Sequence, residues 1–565
     1  MHFVALLCVW VWFAAGIAFG QQAPAAGVPD EIFYNGKIIT VDPAFRLQEA
    51  FAVKGEQFLA VGSNAQVRRL AGPRTRLTDL HGHAVIPGLM DNHNHEYYAG
   101  LVSLRGINLE GVPSLAELLN RIRQAAATAP PGETIYTTVG WSPTEFPEKR
   151  PPNRRELDQV APNHPVVVYQ GRGLAYLNGA ALKVLGITRD VNNIRGAIIA
   201  KDASGEPTGA VSNADGAPTA MLNLTAKVVP QPTLEEKKDI LSKISQQQHA
   251  LGLTSIRELR ITPSTMRAYY ELWREGKLTM RVSMGLEVNS EDADRLEEML
   301  SPWGVGSGFG DHWLRLDSVA EFNPGNLLRE PFAEPSGNYF GEPNLPAEKF
   351  RQAILVINRY GWRPALHIDG DKTLDIVLDA YEAADRESSI RDKRWIVEHI
   401  PLVHPDQMER MKRLGVMVSA QIQPYEGAVD MVRRWGKPRA ERAVPMRELL
   451  DHGLIVSGGS DWPGPTNNPF VNIYFYVTRN TLGLGPFGVA QKISRAEALR
   501  VETINNAYLT YEEKIKGSIE PGKLADFVIL SHDILIVPED QIRSILPLAT
   551  YVGGRKVFSS TQGGF

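Results

Sequence analysis

The stretch "VIPGLMDNHNHEYYAG", residues 85–100, decides how the chain is read. An apolar run meets Pro87-Gly88 and then delivers His93 and His95, one residue apart, beside Asp91. On an extended segment residues i and i+2 share a face, so the two imidazoles converge. Only 13 histidines are spread over 565 residues, so a pair at the end of a buried-type strand is where a site is sought.

Downstream, strand-like and helix-like texture alternates. "SLAELLNRIRQAAATA" (114–129) and "TLEEKKDILSKISQQQHALG" (233–252) each open on a hydroxyl residue three places before a Glu and carry helical apolar spacing. Later come strand-like "WRPALHID" (362–369), "RWIVEHI" (394–400), "VMVSAQI" (416–422) and "LIVSGGSDWP" (454–463), with amphipathic helical segments between them. Short apolar strands separated by such helices mean a parallel sheet covered by helices. A closed (β/α)₈ TIM-type barrel is the economical α/β reading, with the surplus strands in insertions.

The two ends of the chain differ from this middle. Residues 31–84 hold short alternating runs broken at Asn35-Gly36 and Lys54-Gly55, which are turn signals. "GSIEPGKLADFVILSHD" (517–533) and "LATYVGGRKVFSS" (548–560) have the same texture. The expected organisation is a signal peptide at 1–20, a linker at 21–30, a β-sandwich begun by 31–84 and completed by 511–565, and a barrel with insertions over 85–510.

Composition bounds the function classes. Hydrophobic residues are 43%, charged residues 22% and the net charge is -4, ordinary for a globular chain without a basic stripe for nucleic acid. "MHFVALLCVWVWFAAGIAFG" (1–20) is nearly all apolar and ends in a small-x-small pattern before Gln21-Gln22, which reads as an export signal. The expected location is therefore periplasmic or secreted, with no membrane contact once the signal is cut; a retained anchor is the alternative. The one cysteine, Cys8, lies inside that segment, so disulfides and thiol catalysis are excluded from the mature chain.

The chemistry-bearing residues fall at one kind of place. His93 and His95 end the first barrel strand, His367 ends "PALH", His399 follows "WIVE" and Asp461 ends "IVSGGSD". Barrel enzymes keep their chemistry at the carboxyl ends of their strands. Four imidazoles and a carboxylate suit Zn²⁺ or another divalent ion. Any one of these residues alone is more often structural; the ordered set is what carries weight. His81 and His83 form a second HxH pair but precede the strand, at the wrong end for catalysis.

The order "PGLMDNHNH", "HIDGD", "VEHI", "GSDWP" and "GSIEPGKLADFVIL" resembles the amidohydrolase superfamily, and more narrowly the family 3 branch that includes N-substituted formamide deformylases. The resemblance runs from about residue 31 to about 558. It implies a metal-dependent hydrolase barrel with a composite β-sandwich from both chain ends, cleaving amide or related C–N bonds. It implies His93, His95, His367 and His399 as metal ligands, and Asp461 as the carboxylate that contacts the metal and takes a proton from water.

Two segments depart from the family pattern. Many relatives carry a carbamylated lysine on the fourth strand; "DHWLRLDSVAEFNPG" (311–325) has none, and Arg315 cannot form a carbamate. Asp317 or Glu321, of equal strand parity, can replace it; Asp317 is the expected substitute, and plain packing of that segment is the other reading. The missing lysine favours one metal per chain, with two as the alternative. In "QGRGLAYLNGAAL" (170–182) the usual histidine gives way to Gly173 next to Arg172. Arg172 could read a carboxylate bidentately. Trp141, Tyr176 and Gln423 complete the candidate substrate contacts, each with ordinary packing or exposure as the bland alternative.

The expectation is an exported metal-dependent hydrolase of C–N bonds other than peptide bonds, acting on a small amide, N-formyl or N-acyl molecule, as a monomer or a homodimer. A barrel that binds metal or ligand without turnover, and a hydrolase of lactones or cyclic esters, are the alternatives.

Overall fold

In the computed structural model of the protein the described residues are 27–171, 173–194, 196–213, 220–288, 292–322, 324–334, 337–464, 466–561 and 564–565. The stretch read as an export signal, most of the expected linker and Arg172 lie outside them.

Eight parallel strands form the central sheet: β1 (Leu89–Asn94), β2 (Leu253–Ile261), β3 (Arg281–Leu286), β4 (Leu314–Phe322), β5 (Pro364–His367), β6 (Ile396–Glu398), β7 (Met417–Gln421) and β8 (Val456–Gly459). They neighbour one another in chain order. The last strand returns to the first: Asn94 bridges Trp462 in parallel, Asp461 N donates to His93 O at 2.7 Å and His95 N to Trp462 O at 2.9 Å. β1, β3 and β7 are buried along their whole length, which is why they read as continuous runs rather than alternating ones. Helices such as Leu234–His249, held at its start by a Thr233/Glu236 capping box, and Asp371–Glu387 pack their apolar faces on the outside.

The opening stretch serves two domains. Ala84–Pro87 pairs with Lys37–Ile39 and Phe527–Leu530 in the sandwich, and the barrel strand starts only at Leu89. The bend falls at Gly88, where a Cβ would stand 2.3 Å from Thr254 Oγ1. The first barrel strand therefore begins four residues later than the 84/85 boundary read from sequence, because an unbroken apolar run hides the bend. The sandwich joins a four-stranded and a six-stranded sheet over a core rich in Phe33, Phe51, Phe527 and Tyr551.

Between β1 and β2 a separate six-stranded sheet, drawn from Ile135–Tyr136 to Pro207–Asn213, forms an inserted layer with its own cores. Its strands are the surplus ones, and they stand over the carboxyl mouth of the barrel. Among the described residues no helix is long and apolar enough to cross a membrane.

Candidate metal centre

Asp91 answers the question its position raises. Its carboxylate accepts from Ser460 N (2.9 Å), Ser460 Oγ (2.5 Å), Asn94 Nδ2 (2.8 Å) and His93 N (3.2 Å). It thus ties the end of β1 to the turn after β8 and fixes His93, His95 and Asp461 relative to one another. Burial holds its own carboxyl above the usual range, against those hydrogen bonds. The tie is possible because β8 lies close on β1: a Cβ on Gly459 would be 2.6 Å from His93 N.

His93, His95, His367, His399, Asp461 and one further residue, Glu321 at the end of β4, come together. The ligand atoms of His93, His95 and Glu321, of Glu321, His367 and His399, and of His93, His399 and Asp461 each lie within 4.8 Å of one another. Glu321 is central. Its Oε1 is 3.1 Å from His93 Nε2, 3.5 Å from His367 Nδ1 and 3.4 Å from His399 Nε2, and its Oε2 is 3.5 Å from His95 Nε2. Asp461 Oδ1 stands 3.4 Å from His95 Nε2 and 3.5 Å from His93 Nε2. His399 (φ 68°) and Asp461 (φ 56°) both occupy the left-handed region, a costly conformation for bulky residues, as each turns off its strand toward the centre.

Every imidazole has one nitrogen anchored and the other aimed at the centre. His93 Nδ1–H donates to Glu398 Oε2 (2.8 Å), His95 Nδ1–H to Leu259 O (3.2 Å) and His367 Nε2–H to Asp369 Oδ1 (2.9 Å). These partners are acceptors only, so each outer nitrogen carries a proton, and in the neutral ring the inner nitrogen is left with the lone pair. For His399 the anchor is the Gln423 amide, 2.6 Å from Nδ1. With the amide oxygen turned to Nδ1–H, the otherwise partnerless Gln423 Oε1 is satisfied and His399 Nε2 also offers a lone pair.

The residues present fit a bound cation. His93 Nε2, His399 Nε2 and Glu321 Oε1 are buried atoms with no hydrogen-bond partner, and all three face the same point. In their bare arrangement the carboxylates draw positive charge from the rings. Burial opposes a charged His93, yet Glu321 and Glu398 outweigh it and push the ring up to about 10. Burial likewise works against an ionised Glu321, but His93, His367 and His399 hold it well below the usual carboxylate range. A divalent ion relieves both, since imidazoles then ligate neutral and the carboxylates keep a cation beside them.

Asp317 does not reach this centre, which corrects its assignment as the lysine substitute. Both its oxygens are taken by guanidiniums, Arg257 Nε at 2.5 Å and Arg363 Nη2, deep inside the barrel. Arg257 Nη1 then donates to Glu398 Oε1 at 2.7 Å, so a buried charge chain runs Arg363–Asp317–Arg257–Glu398–His93. Arg315 pairs with Glu512 at 3.4 Å. Trp141 and Tyr176 sit in the core of the inserted sheet, Trp141 stacked on Phe146 and donating to Tyr169 O at 2.8 Å; the cavity over the centre is lined by other residues. Gln423 contacts His399 rather than the cavity. Glu398 and Asp369 were not singled out from sequence, although both lie within two residues of a histidine in "VEHI" and "HID".

A cavity of about 330 Å³ opens onto His95, Glu321, His367, His399 and Asp461. The fold and donor set together place the protein among metal-dependent barrel hydrolases. Residues 76–558 match the model of the amidohydrolase family, and the chain belongs to that family, whose hydrolases act on C–N bonds. It is similar to the N-substituted formamide deformylase of Arthrobacter pascens, 28% identical over 93% of this chain and 97% of that one. It is equally similar, at 28% over 95% of this chain and 92% of the relative, to Protein LONG AFTER FAR-RED 3 of Arabidopsis thaliana. A metal-dependent hydrolase from Pyrococcus horikoshii shares the fold, with a TM-score of 0.72, 23% identity and coverage of 90% and 99% of the two chains.

Proposed function

We propose that the protein is an exported amidohydrolase that cleaves the C–N bond of a small amide, N-formyl or N-acyl compound. In this reading His93, His95, His367, His399 and Glu321 hold Zn²⁺ or another divalent ion. Asp461 touches the ion and carries the proton. The observation behind it is the set of inward lone pairs and partnerless buried atoms converging between β1, β4, β5, β6 and β8. Two of the donor trios share Glu321, so if a second ion were bound, Glu321 is the residue that would serve both.

When bound, such an ion polarises a carbonyl and lowers the pKa of water from about 15.7 toward about 7. The chain's own groups do the rest. Asp461, at the cavity floor and 16% exposed, accepts the proton of the attacking water and returns it to the departing nitrogen. Glu398, Asp369 and Gln423 keep three of the four rings in the orientation that presents a lone pair. Tyr136 and Tyr169 of the inserted layer line the cavity that opens on the centre. Export rests on the apolar first twenty residues, and an N-formyl substrate is supported by the name of the Arthrobacter relative.

Elemental analysis of the purified protein is expected to return about one to two divalent ions per chain. A panel of amides and lactones should give metal-dependent amine release, lost on chelation and restored by zinc. Protein without stoichiometric metal, or acid release from lactones alone, overturns the reading.

A further inference from the structure

Resting on that reaction, we infer that the substrate bears a carboxylate remote from the scissile bond, and that Lys237 reads it. The cavity is chemically mixed. Its floor is the metal centre, and its walls are apolar and aromatic, with Tyr97, Leu101, Tyr136, Tyr169 and Leu222. Beside the carboxylates Glu258 and Glu287, its lining carries three cations, Arg105, Lys237 and Arg260. Two of them are already matched: Arg260 Nη2 lies 2.8 Å from Glu287, and Arg105 sits 3.6 Å from Glu236 with its guanidinium over Tyr136.

Lys237 is different. Its Nζ donates to Ser264 Oγ at 2.8 Å and lies 5.8 Å from the Tyr97 ring centroid. Among the described residues no carboxylate oxygen comes within 4.0 Å of it. Burial alone displaces its titration, downward, with no acidic neighbour to oppose it. A partly desolvated ammonium that faces a cavity without a counter-charge is unfavourable until an anion arrives. A single cation suits a monoanion; a phosphate dianion asks for more than one, and the two neighbouring arginines are engaged. The substrate is thus an N-acyl or N-formyl amine in which an apolar or aromatic spacer, lying along the tyrosine wall, separates the amide from a carboxylate. A volume of about 330 Å³ is at the small end of ligand pockets, right for one ring and short arms.

The test compares the zinc-loaded enzyme on the N-formyl derivative of para-aminomethylbenzoate, its carboxamide and its phosphonate analogue. Calorimetric binding of the three free amines is measured alongside. The carboxylate should be favoured over the carboxamide by about 10- to 100-fold, in KM for the amides and in Kd for the amines, as one charge-assisted hydrogen bond implies. Lys237→Gln should bring that ratio close to one, and Lys237→Arg should retain most of it. Equal treatment of carboxylate and carboxamide, a preference for the phosphonate, or a preference untouched by Lys237→Gln overturns the inference. If none of the amides is cleaved, the proposed reaction fails on these substrates, while the binding ratios still decide on Lys237.

Discussion

Glu321 and Asp317 stand on one strand, four residues apart, both buried and both facing the barrel interior, yet they meet opposite partners. Asp317 is enclosed by Arg257 and Arg363, permanent cations that the fold itself supplies. Glu321 is enclosed by imidazoles whose inner nitrogens lack hydrogen-bond partners or face it beyond 3 Å. The lower carboxylate is neutralised within the chain and serves the architecture. The upper one meets only rings that can equally be neutral, so a bound cation can take over the charge those rings otherwise carry. Depth along β4, rather than parity, separates a structural acid from a ligating one.

The largest effects should break this division at its upper end. Asp461→Asn keeps the metal but removes the proton carrier, so turnover on any cleaved amide should fall by about 10²- to 10⁴-fold with metal content unchanged. Unaltered turnover would show that another group moves the proton. Asp317→Ala should act on the fold instead: it removes the carboxylate that pairs with buried Arg363 and leaves Arg257 with Glu398 alone, at a cost of about 3–5 kcal/mol read from denaturant midpoints. Metal content per folded chain should stay the same, and a lowered count would return Asp317 to the site. Glu321→Gln should give the reverse pattern, binding zinc at least about 10- to 100-fold more weakly while the metal-free fold holds. If Glu321→Gln unfolds the protein and Asp317→Ala loses metal, the contrast between them is void.

Much of this was legible in the sequence, and what was not has physical causes. The histidines and Asp461 announce themselves because each sits where a strand gives way to a turn, and the order of strands is the order of the chain. Parity on β4 could not choose between Asp317 and Glu321, since both point inward. Yet Glu321, unlike Asp317, lies next to the carboxyl end of its strand, ahead of Pro324-Gly325 in the sequence, and that is the signal that could have decided it. Trp141 and Tyr176 were misleading because a strand of an inserted sheet has the same composition as a barrel strand. Gln423 reads as a loop amide, and only the structure shows its side chain on His399. Arg257 carries no local signature at all; its partners come from two other strands, β4 and β6, and from the backbone of β1.

The smallest expected effect sharpens the comparison through acid. Asp317 and Glu398 each titrate at about 2: burial opposes ionisation, but Arg363 and Arg257 outweigh it for Asp317, and Arg257 and His93 for Glu398. Both values are depressed below the unfolded ones of 3.8 and 4.5. Each group therefore contributes stability that is complete above its unfolded pKa and is lost as pH falls through the folded value. For Asp317 the depression corresponds to roughly 2 kcal/mol. Urea midpoints of the metal-free protein should be highest near about pH 5–6 and fall steeply between about pH 4 and 2; the raised His93 adds a separate decline as pH rises from about 6.5 toward about 10. Asp317→Asn, although less stable throughout, should show a shallower fall over that interval, because one of the protons taken up on unfolding is gone. An identical slope in the variant would mean that the guanidiniums do not hold Asp317 ionised, and the architectural half of the comparison would lose its electrostatic basis.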